Sequence, residues 1–370
     1  MKILSVFGTR PEAVKMAPIV RQLAQTPRVD SCVCVTAQHR QMLDQVLNLF
    51  QIKPAYDLDL MRDNQSLPEL SASIFTYLDP VLTTFQPDWV LVQGDTTTVA
   101  ITALLAYYRR VKVGHVEAGL RTHDKWQPFP EEINRRVAGV AADLHFAPTA
   151  WSQGNLLREG VDEKNIVVTG NPVIDALNFV AKQETPNEIQ KIIGKHEGKR
   201  IILVTAHRRE NFGQPLENIC RALKELAGRG DLEIIYPVHL NPNVQEPVKR
   251  ILNDVNNITL LPPLDYLPLV HLMKHSSLIL TDSGGIQEEA PAFGIPVLVL
   301  RETTERPEGI DAGTLKLVGT ETSYILQEAK RLLDDESEYR KMAKASNPYG
   351  DGHAAERIVE ALLKTNDSHV

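Results

Sequence analysis

The sequence contains little cysteine, no long apolar run and no excess of positive charge. Its three cysteines, Cys32, Cys34 and Cys220, are an odd and sparse set that does not fit a disulfide framework, and without a CxxC pair they exclude a zinc ribbon. No uninterrupted apolar stretch approaches the ~20 residues that a membrane span needs, and the apolar run at the N-terminus ends at Phe7, too short for a signal peptide. We therefore expect a cytoplasmic protein that does not bind membranes.

The charges are nearly balanced, with 40 lysines and arginines against 47 aspartates and glutamates and a net charge of −7. A modest negative charge favours solubility and disfavours general binding to nucleic acids. Apolar residues make up 43% and charged residues 24% of the chain, which is typical of a globular protein and excludes disordered, collagen-like and coiled-coil chains. At about 150 residues per domain, the length of 370 residues predicts two domains.

Short apolar runs rich in β-branched residues recur along the whole chain and predict strands. Most of them are continuously apolar, which is typical of strands covered on both faces of a parallel sheet. The predicted strands are Lys2–Phe7, Ser31–Thr36, Asp88–Val92, Val111–Val116, Ile201–Thr205, Glu233–Val238, Ile258–Leu261, Leu278–Thr281 and Pro296–Leu300. Between them, apolar residues at helical spacing predict helices such as Glu12–Gln25, which follows Pro11, and Gln214–Leu226.

The alternation of strands and helices in both halves predicts an α/β protein of two Rossmann-like domains, whose parallel sheets face each other across a cleft. The segment 171–199 is polar, so we assign residues 1–170 to the first domain and 171–349 to the second. Ligands of such sheets bind beyond the carboxyl ends of the strands, and the cleft between two sheets is the expected site. Candidate functional residues are therefore those that follow an apolar run.

Two candidate segments follow strands of the first half. Gly8 permits a tight turn after the first strand, and the N-terminus of the helix begun by Pro11 favours anions close to Arg10 and Lys15. A plain strand–helix turn is an equally good interpretation of this segment. Asp95 follows another strand and is interpreted either as a helix N-cap or as a functional carboxylate.

Further charged side chains occupy the next predicted strand and helix. Strand alternation predicts that His115 and Glu117 share one face, and a carboxylate at the carboxyl end of an α/β strand is well placed for catalysis. The alternative for Glu117 is a salt bridge to Arg121. Glu131 and Arg135 are four residues apart on a predicted helix, where a solvated ion pair is the alternative to a functional role.

The second half presents a histidine and a glycine-rich turn at strand ends. His207 precedes two arginines, which combines a group that titrates near neutral pH with side chains that suit phosphate. The segment Asp282–Ala290 places Ser-Gly-Gly between a strand and a helix, which exposes backbone N–H groups as a phosphate cradle. Glu289 lies one helical turn further on, where a carboxylate can bind ribose hydroxyls.

Taken together, these segments resemble the bacterial non-hydrolysing UDP-N-acetylglucosamine 2-epimerases. The resemblance runs in order over essentially the whole chain, and the set is highly specific although each piece alone is not. It is carried by FGTRPEAVKMAP, TAQHRQMLDQVL, GDTTT, GHVEAGLRT, FPEEINRR, TAHRREN, YPVHLNPNV, TDSGGIQEEAP and TTERPE. A more remote resemblance extends to the hydrolysing epimerases and the GT-B glycosyltransferases.

The resemblance implies a GT-B architecture, with UDP bound mainly by the second domain and a C-terminal helix at residues 350–370 that packs back on the first. It implies reversible conversion of UDP-GlcNAc to UDP-ManNAc, in which anti elimination of UDP forms 2-acetamidoglucal and UDP then adds to the opposite face. The product would supply ManNAc units for surface polysaccharide. The family uses no metal and no cofactor, and a homodimer is implied.

The resemblance also assigns residues by position in the motifs. The residues that match catalytic positions are Asp95, Glu117, Glu131, Arg135 and His207. The residues that match UDP-binding positions are Arg10, Lys15, Ser283, Gly284, Gly285, Glu289 and Arg306. Gln38, Gln41 and Gln65 match a region in which a second UDP-GlcNAc acts as an allosteric activator, and Asn64 replaces an arginine that one relative has there.

Two other activities fit the same residues. A hydrolysing epimerase would release free ManNAc and UDP, and a GT-B glycosyltransferase would use the same donor motif together with an acceptor site. Three carboxylates with a histidine favour epimerisation, because inversion at C2 needs proton access from both faces of the sugar. The absence of a GxGxxG motif disfavours an NAD dehydrogenase.

Overall fold

Two parallel β-sheets organise the chain, one in each of two structural units. The computed structural model describes residues 1–37, 40–62 and 64–367. Unit 1 comprises Met1–Ala176 and Tyr349–Val370, and unit 2 comprises Leu177–Pro348. The predicted α/β class with two parallel sheets is confirmed.

The sheet of unit 1 has seven strands within the described ranges. They are β1 Lys2–Phe7, β2 Asp30–Val35, β3 Tyr56–Asp57, β4 Trp89–Gln93, β5 Lys112–Val116, β6 Leu144–Ala147 and β7 Ile166–Val168. All neighbouring strands are parallel, in the order β3-β2-β1-β4-β5-β6-β7. The chain winds outward in opposite directions from β1 and β4, so their carboxyl ends form a topological switch point, where open α/β sheets bind ligands.

The helices of unit 1 connect these strands and pack against them. They are α1 Arg10–Gln25, α2 Arg40–Leu49, α3 Leu67–Phe85, α4 Thr97–Tyr108, α5 Glu131–Ala141, α6 Ala150–Arg158 and α16 Ala354–Asp367, with a 3₁₀ turn at Glu163–Asn165. Helix α16 packs against α1. The division between the units falls inside α7 Pro172–Val180, after Ala176.

The sheet of unit 2 repeats this design with six strands in the part of the chain that the structure describes. They are β8 Arg200–Thr205, β9 Leu232–Pro237, β10 Ile258–Leu261, β11 Leu278–Thr281, β12 Val297–Val299 and β13 Leu315–Leu317. The order is β10-β9-β8-β11-β12-β13, again with parallel neighbours. The switch point of unit 2 therefore lies at the carboxyl ends of β8 and β11.

The first helix of unit 2 precedes its sheet, and the others follow its strands along the chain. The helices are α8 Asn187–Lys195, α9 Gln214–Ala227, α10 Pro242–Leu252, α11 Tyr266–Lys274, α12 Gly284–Glu289, α13 Pro307–Asp311, α14 Thr322–Asp334 and α15 Glu336–Ala343, with 3₁₀ turns at Arg209–Asn211 and Ala290–Phe293. Helix α9 packs on α10 and α14. Its apolar stripe, with Leu216, Ile219 and Leu223 fully buried, meets the buried strand residues Ile202 and Leu280 in one core.

The apolar runs of the sequence locate most strands within one residue of their observed bounds. The patterns missed β3, β6, β7 and β13, each of which has two to four residues. Helix α1 begins at Arg10, two residues before the predicted start. Within the described ranges, no helix is both long enough and apolar enough to cross a membrane.

Candidate functional site

The carboxyl ends of β4 and β5 bring two of the predicted carboxylates next to predicted cations. Lys15 forms an ion pair with Glu117, and Arg135 forms one with Asp95. The side chains of Lys15 and Glu117 are 13% and 6% exposed, so the first pair is largely shielded from solvent. Charges in such surroundings interact more strongly than on an open surface.

Glu117 occupies the turn that immediately follows β5. The strand ends at Val116, and Glu117 has a φ of 62°, in the left-handed region that costs a non-glycine residue about 1–3 kcal/mol. The expected face-sharing with His115 by strand alternation is therefore wrong, because Glu117 is no longer in the strand. His115 instead donates from Nε2 to the carbonyl oxygen of Gly94, at 2.7 Å, and so fixes the turn that leads into Asp95. Backbone strain of this kind is found at sites where function requires it.

The carboxylate of Glu117 accepts two further hydrogen bonds besides the contact with the lysine. Gln93 donates from Nε2 at 2.5 Å and Asn171 donates from Nδ2 at 2.9 Å. The alternative salt bridge to Arg121 is wrong, since Arg121 pairs with Glu159 at 2.7 Å. These donors hold the Glu117 carboxylate in one orientation.

Asp95 is directed to a cation rather than to a helix end. The N-cap of α4 is Thr96, whose hydroxyl accepts from the backbone N–H of Val99 at 3.4 Å. The N-cap interpretation of Asp95 is therefore wrong. The Asp95 side chain is 29% exposed and pairs with the buried guanidinium of Arg135, which leaves it accessible to a ligand.

Glu131 begins α5 but does not pair with Arg135 as their spacing suggested. Arg135 also donates to Glu132, three residues before it, at 3.1 Å. Glu132 is fully buried, and the pKa of its carboxyl is lowered because its hydrogen bonds and the nearby arginines outweigh the effect of burial. Oε2 of Glu131 is buried and makes no hydrogen bond to any described residue. Such an unsatisfied oxygen is rare in proteins and often marks a functional group.

The N-terminus of α1 was expected to attract an external anion, but a side chain of the same helix occupies it. Glu12 accepts hydrogen bonds from the backbone N–H groups of Gly8 and Thr9 at 2.8 and 2.7 Å, so a carboxylate of the chain itself occupies this end of the helix. Burial raises the pKa of Glu12. Gly8 is required for space, because an added Cβ would lie 2.0 Å from the Thr36 hydroxyl. Arg10 is the first residue of α1 and is partly buried.

In unit 2, the switch point places His207 beside a buried aspartate. Asp282, directly after β11, is fully buried, and its Oδ2 accepts from the backbone N–H groups of His207 and Arg208, both at 2.8 Å. Nδ1 of His207 lies 3.5 Å from Oδ1 of Asp282. The His207 ring stacks on the ring of His239, with centroids 5.4 Å apart and an interplanar angle of 9°.

The Ser-Gly-Gly turn places Ser283 at the N-cap of α12, and Ser283 makes no side-chain hydrogen bond within its own cap. The guanidinium of Arg306 packs against Gly284, where an added Cβ would lie only 2.8 to 3.1 Å from its atoms. Arg306 Nε also donates to Glu288 at 2.8 Å. Gly284 is therefore needed for the close approach of this cation to the turn.

Glu289 and Gly285 complete the predicted set of unit 2. Glu289 accepts a hydrogen bond from the Tyr266 hydroxyl at 3.2 Å, and its Oε1 lies near Gly285. The backbone N–H of Ser283 donates to the Thr281 hydroxyl at 2.9 Å, and Gly284 is buried. The turn therefore places Arg306 and the carboxylate of Glu289 beside two glycines, a set that suits a phosphorylated ribose.

The structure describes two of the three glutamines that were assigned to an effector region. Gln38 lies outside the described residues. Gln41 is exposed on α2, whereas Oε1 of Gln65 is buried and has no hydrogen-bond partner within the described ranges. Among the described residues, no group of histidine, cysteine, aspartate or glutamate side chains could hold a metal ion.

Several residues that contact the predicted set were not assigned a role from the sequence, among them Gln93, Asn171, Asp282 and Glu288. Gln93 ends β4 and Asp282 follows β11 directly, so the position at a strand end was an available signal. Asn171 lies three residues beyond β7, in a Gly-Asn-Pro turn. Glu288 carries no such signal, because its partner Arg306 lies 18 residues away.

Comparison with known proteins gives consistent matches. The family model described as UDP-N-acetylglucosamine 2-epimerase matches residues 21–363. The chain is 56% identical to UDP-N-acetylglucosamine 2-epimerase of Salmonella typhimurium over 369 residues, which is 98% of each chain. It is similar to the crystal structure of UDP-GlcNAc 2-epimerase from Neisseria meningitidis bound to UDP-GlcNAc, with a TM-score of 0.90, 50% identity and coverage of 98% of this chain and 100% of that one. It is also similar to the UDP-GlcNAc 2-epimerase of Methanocaldococcus jannaschii in complex with UDP-GlcNAc and UDP, with a TM-score of 0.80, 33% identity and coverage of 98% and 100%.

Proposed function

Since the chain belongs to the UDP-N-acetylglucosamine 2-epimerase family, we propose that it interconverts UDP-GlcNAc and UDP-ManNAc without hydrolysis, by elimination and re-addition of UDP. The observation that carries this proposal is the pairing of two carboxylates with cations at neighbouring strand ends, Glu117 with Lys15 and Asp95 with Arg135. Inversion at a carbon needs proton transfer on both faces, and a pair of fixed carboxylates supplies two such groups.

The chemistry explains why both acid–base and anion-binding groups are required. The C2 proton of the sugar is weakly acidic, so a base alone is insufficient. Cleavage of the anomeric C1–O bond, whose electron pair leaves with UDP, builds positive charge at C1 and acidifies C2. Loss of the C2 proton to a carboxylate then forms the C1–C2 double bond of 2-acetamidoglucal. Addition of a proton to the opposite face of C2, with attack of the UDP oxygen on C1, completes the epimerisation.

Unit 1 supplies the acid–base groups in this mechanism. Asp95, Glu117 and Glu131 are the carboxylates, and two of them divide the roles of base on one face and acid on the other. Arg135 holds Asp95, and Lys15 holds Glu117. The buried, unbonded Oε2 of Glu131 supports a role at the sugar, because a substrate hydroxyl or proton would satisfy it.

Unit 2 supplies the groups that bind and stabilise UDP. The Ser283 hydroxyl and the backbone N–H groups of Gly284 and Gly285 bind the diphosphate, and Arg306 neutralises its charge as it leaves. Glu289 binds the ribose hydroxyls. His207 donates to the diphosphate oxygens, and the assignment of Arg10 to the phosphates rests on its motif position.

Regulation follows the family pattern in this proposal. A second UDP-GlcNAc binds as an activator in the region matched by Gln38, Gln41 and Gln65. The Methanocaldococcus jannaschii relative has been crystallised in complex with UDP-GlcNAc and UDP.

Assembly and cellular role complete the proposal. The protein acts as a homodimer in the cytoplasm and supplies ManNAc units for surface polysaccharide. Tyr77, Tyr107 and Tyr108 on α3 and α4 are 49%, 64% and 62% exposed, which supports a subunit interface on these helices.

Proton NMR of the enzyme with UDP-GlcNAc in D₂O tests the proposed reaction. We expect UDP-ManNAc to appear with deuterium at C2, because the abstracted proton exchanges with solvent before re-addition. Release of free ManNAc and UDP would instead identify a hydrolase. Unchanged UDP-GlcNAc would contradict the proposal and point to a glycosyltransferase that lacks its acceptor.

The variant Asp95→Asn tests the assignment of the site. We expect its rate of deuterium incorporation to fall by at least ~100-fold, which is typical for loss of a general acid or base. Asp30→Asn is the matched control, because Asp30 is exposed at the amino end of β2, the opposite edge of the same sheet. Circular dichroism checks that both variants are folded, and similar rates in the two would refute the assignment.

A further inference from the structure

The loop that carries His207 is fastened to a buried aspartate that has no assigned role. Oδ2 of Asp282 accepts three hydrogen bonds, from the backbone N–H groups of His207 and Arg208 at 2.8 Å and from Nδ2 of Asn211 at 3.0 Å. The Asp282 side chain is completely buried. One oxygen of this carboxylate therefore fixes the position of the histidine backbone.

The other oxygen of Asp282 faces the histidine ring. Oδ1 is buried and has no hydrogen-bond partner within the part of the chain that the structure describes. Nδ1 of His207 lies 3.5 Å from it. An ionised carboxylate only accepts hydrogen bonds, so this contact is favourable only when Nδ1 carries a proton.

A stacking contact on one face of the His207 ring also limits the orientation of the ring. It stacks on His239, whose Nδ1 accepts from the backbone N–H of Asn241 at 3.1 Å and so has its own orientation fixed. Rotation of the His207 ring would break the stack as well as the contact with Asp282. The side chain is nevertheless 39% exposed, which leaves the ring open to a ligand.

We propose that Asp282 is the positioning residue of His207: it fixes the imidazole in the Nδ1–H tautomer and so presents Nε2 to the diphosphate of the ligand. When Nε2 takes up a proton, the carboxylate behind the ring stabilises the imidazolium, which then donates to the departing UDP oxygen. A carboxylate that orients a catalytic histidine in this way acts without contacting the substrate. The role at the diphosphate rests on the proposed function, whereas the tautomer does not.

The tautomer is measured directly by long-range ¹H–¹⁵N NMR of histidine-labelled protein at a pH where His207 is neutral. The His207 signals are identified by their loss in His207→Ala. We expect Nδ1–H in the wild-type protein, and a wild-type His207 in the Nε2–H form would overturn the proposal without any further variant.

The variant Asp282→Asn replaces the acceptor that faces Nδ1 of His207 by a donor. It keeps an acceptor for the backbone N–H groups of the His207 loop. The amide oxygen of asparagine replaces Oδ2 as acceptor for the two backbone N–H groups, so its NH₂ group points at Nδ1 of His207. Nδ1 must then be the unprotonated nitrogen, and we expect the tautomer to change to Nε2–H. We also expect kcat for epimerisation to fall at least ~100-fold, with the Kd for UDP changed less than ~3-fold.

A second buried carboxylate–histidine pair of unit 2 provides the control. Nδ1 of His196 lies 3.1 Å from Oε2 of the buried Glu233, outside the predicted site. Glu233→Gln should alter the His196 signals and leave the His207 tautomer and kcat unchanged. An Nδ1–H signal for His207 that persists in folded Asp282→Asn would refute the proposal. Failure of the wild-type enzyme to convert UDP-GlcNAc would refute the proposed function and leave the tautomer result unaffected.

Discussion

Two buried histidines of unit 1 predict how acid destabilises the half of the chain that carries the carboxylates. His115 and His145 are directly paired across β5 and β6 and are 1% and 2% exposed. Burial, with a smaller contribution from the nearby Arg121, lowers the pKa of His115 to about 3 and that of His145 to about 4. Both side chains are therefore neutral in the native state. In the unfolded chain they take up protons near pH 6.5.

The sign and size of the effect follow from this difference in pKa. Because the folded values lie below the unfolded one, each neutral histidine contributes stability that is complete above pH 6.5 and is lost as the pH falls toward the folded pKa. Within that window each histidine removes about 1.4 kcal/mol from the free energy of unfolding per pH unit. From pH 7 to pH 5, each accounts for about 2 kcal/mol and the pair for about 4 kcal/mol.

The variant His145→Leu isolates one of the two contributions. All three tryptophans, Trp89, Trp126 and Trp151, lie in unit 1, so their fluorescence during urea unfolding reports on this unit. We expect the loss of unfolding free energy between pH 7 and pH 5 to be about 2 kcal/mol smaller in the variant than in the wild type. The altered packing changes the free energy of unfolding of the variant by the same amount at both pH values, so it cancels in the difference.

A histidine on the surface of the same unit serves as the control. His353 is exposed, so His353→Gln should lose as much stability between pH 7 and pH 5 as the wild type. An equal loss in His145→Leu and in the wild type would refute the reasoning, because it would mean that His145 binds its proton equally in the folded and unfolded states.

Two further substitutions test the site. Gly284→Ala would place a methyl group 2.8 to 3.1 Å from the Arg306 guanidinium, and we expect calorimetry to show UDP binding weakened by about 10- to 100-fold, the value of one charge-assisted hydrogen bond. Gly285→Ala, whose Cβ meets only an ordinary contact at 3.5 Å, should leave that arginine in place, so equal losses in the two alanine variants would argue against its role. Asn171→Asp sets a second negative charge 2.9 Å from Glu117, which raises the pKa of Glu117. We expect the acid limb of the kcat–pH profile to move to higher pH by about one unit, and an unchanged profile would exclude Glu117 as the titrating group.

The amino-acid sequence alone was enough to predict the class of fold and most of its strands. Strands β1, β10 and β11 match their predicted bounds residue for residue, because each is a mostly apolar run that ends before a turn-forming or polar residue, Gly8, Pro262 and Asp282 respectively. The same logic located the candidate residues, since polar side chains directly after such strands lie at the edge where α/β sheets bind ligands. The motifs also indicated the family that the comparisons identify.

Which side chains contact one another depends on the three-dimensional arrangement of the strands. Asn171 and Gln93 reach Glu117 across 54 and 24 residues of sequence, and Asp282 binds the loop of His207 from 75 residues away. Local spacing offered other pairings as alternatives, such as Glu117 with Arg121, and that pairing was wrong because Arg121 pairs with Glu159. A side chain at a strand end can contact only groups at the ends of neighbouring strands. The order of strands in the sheet determines which strands are neighbours, and no local sequence pattern encodes that order.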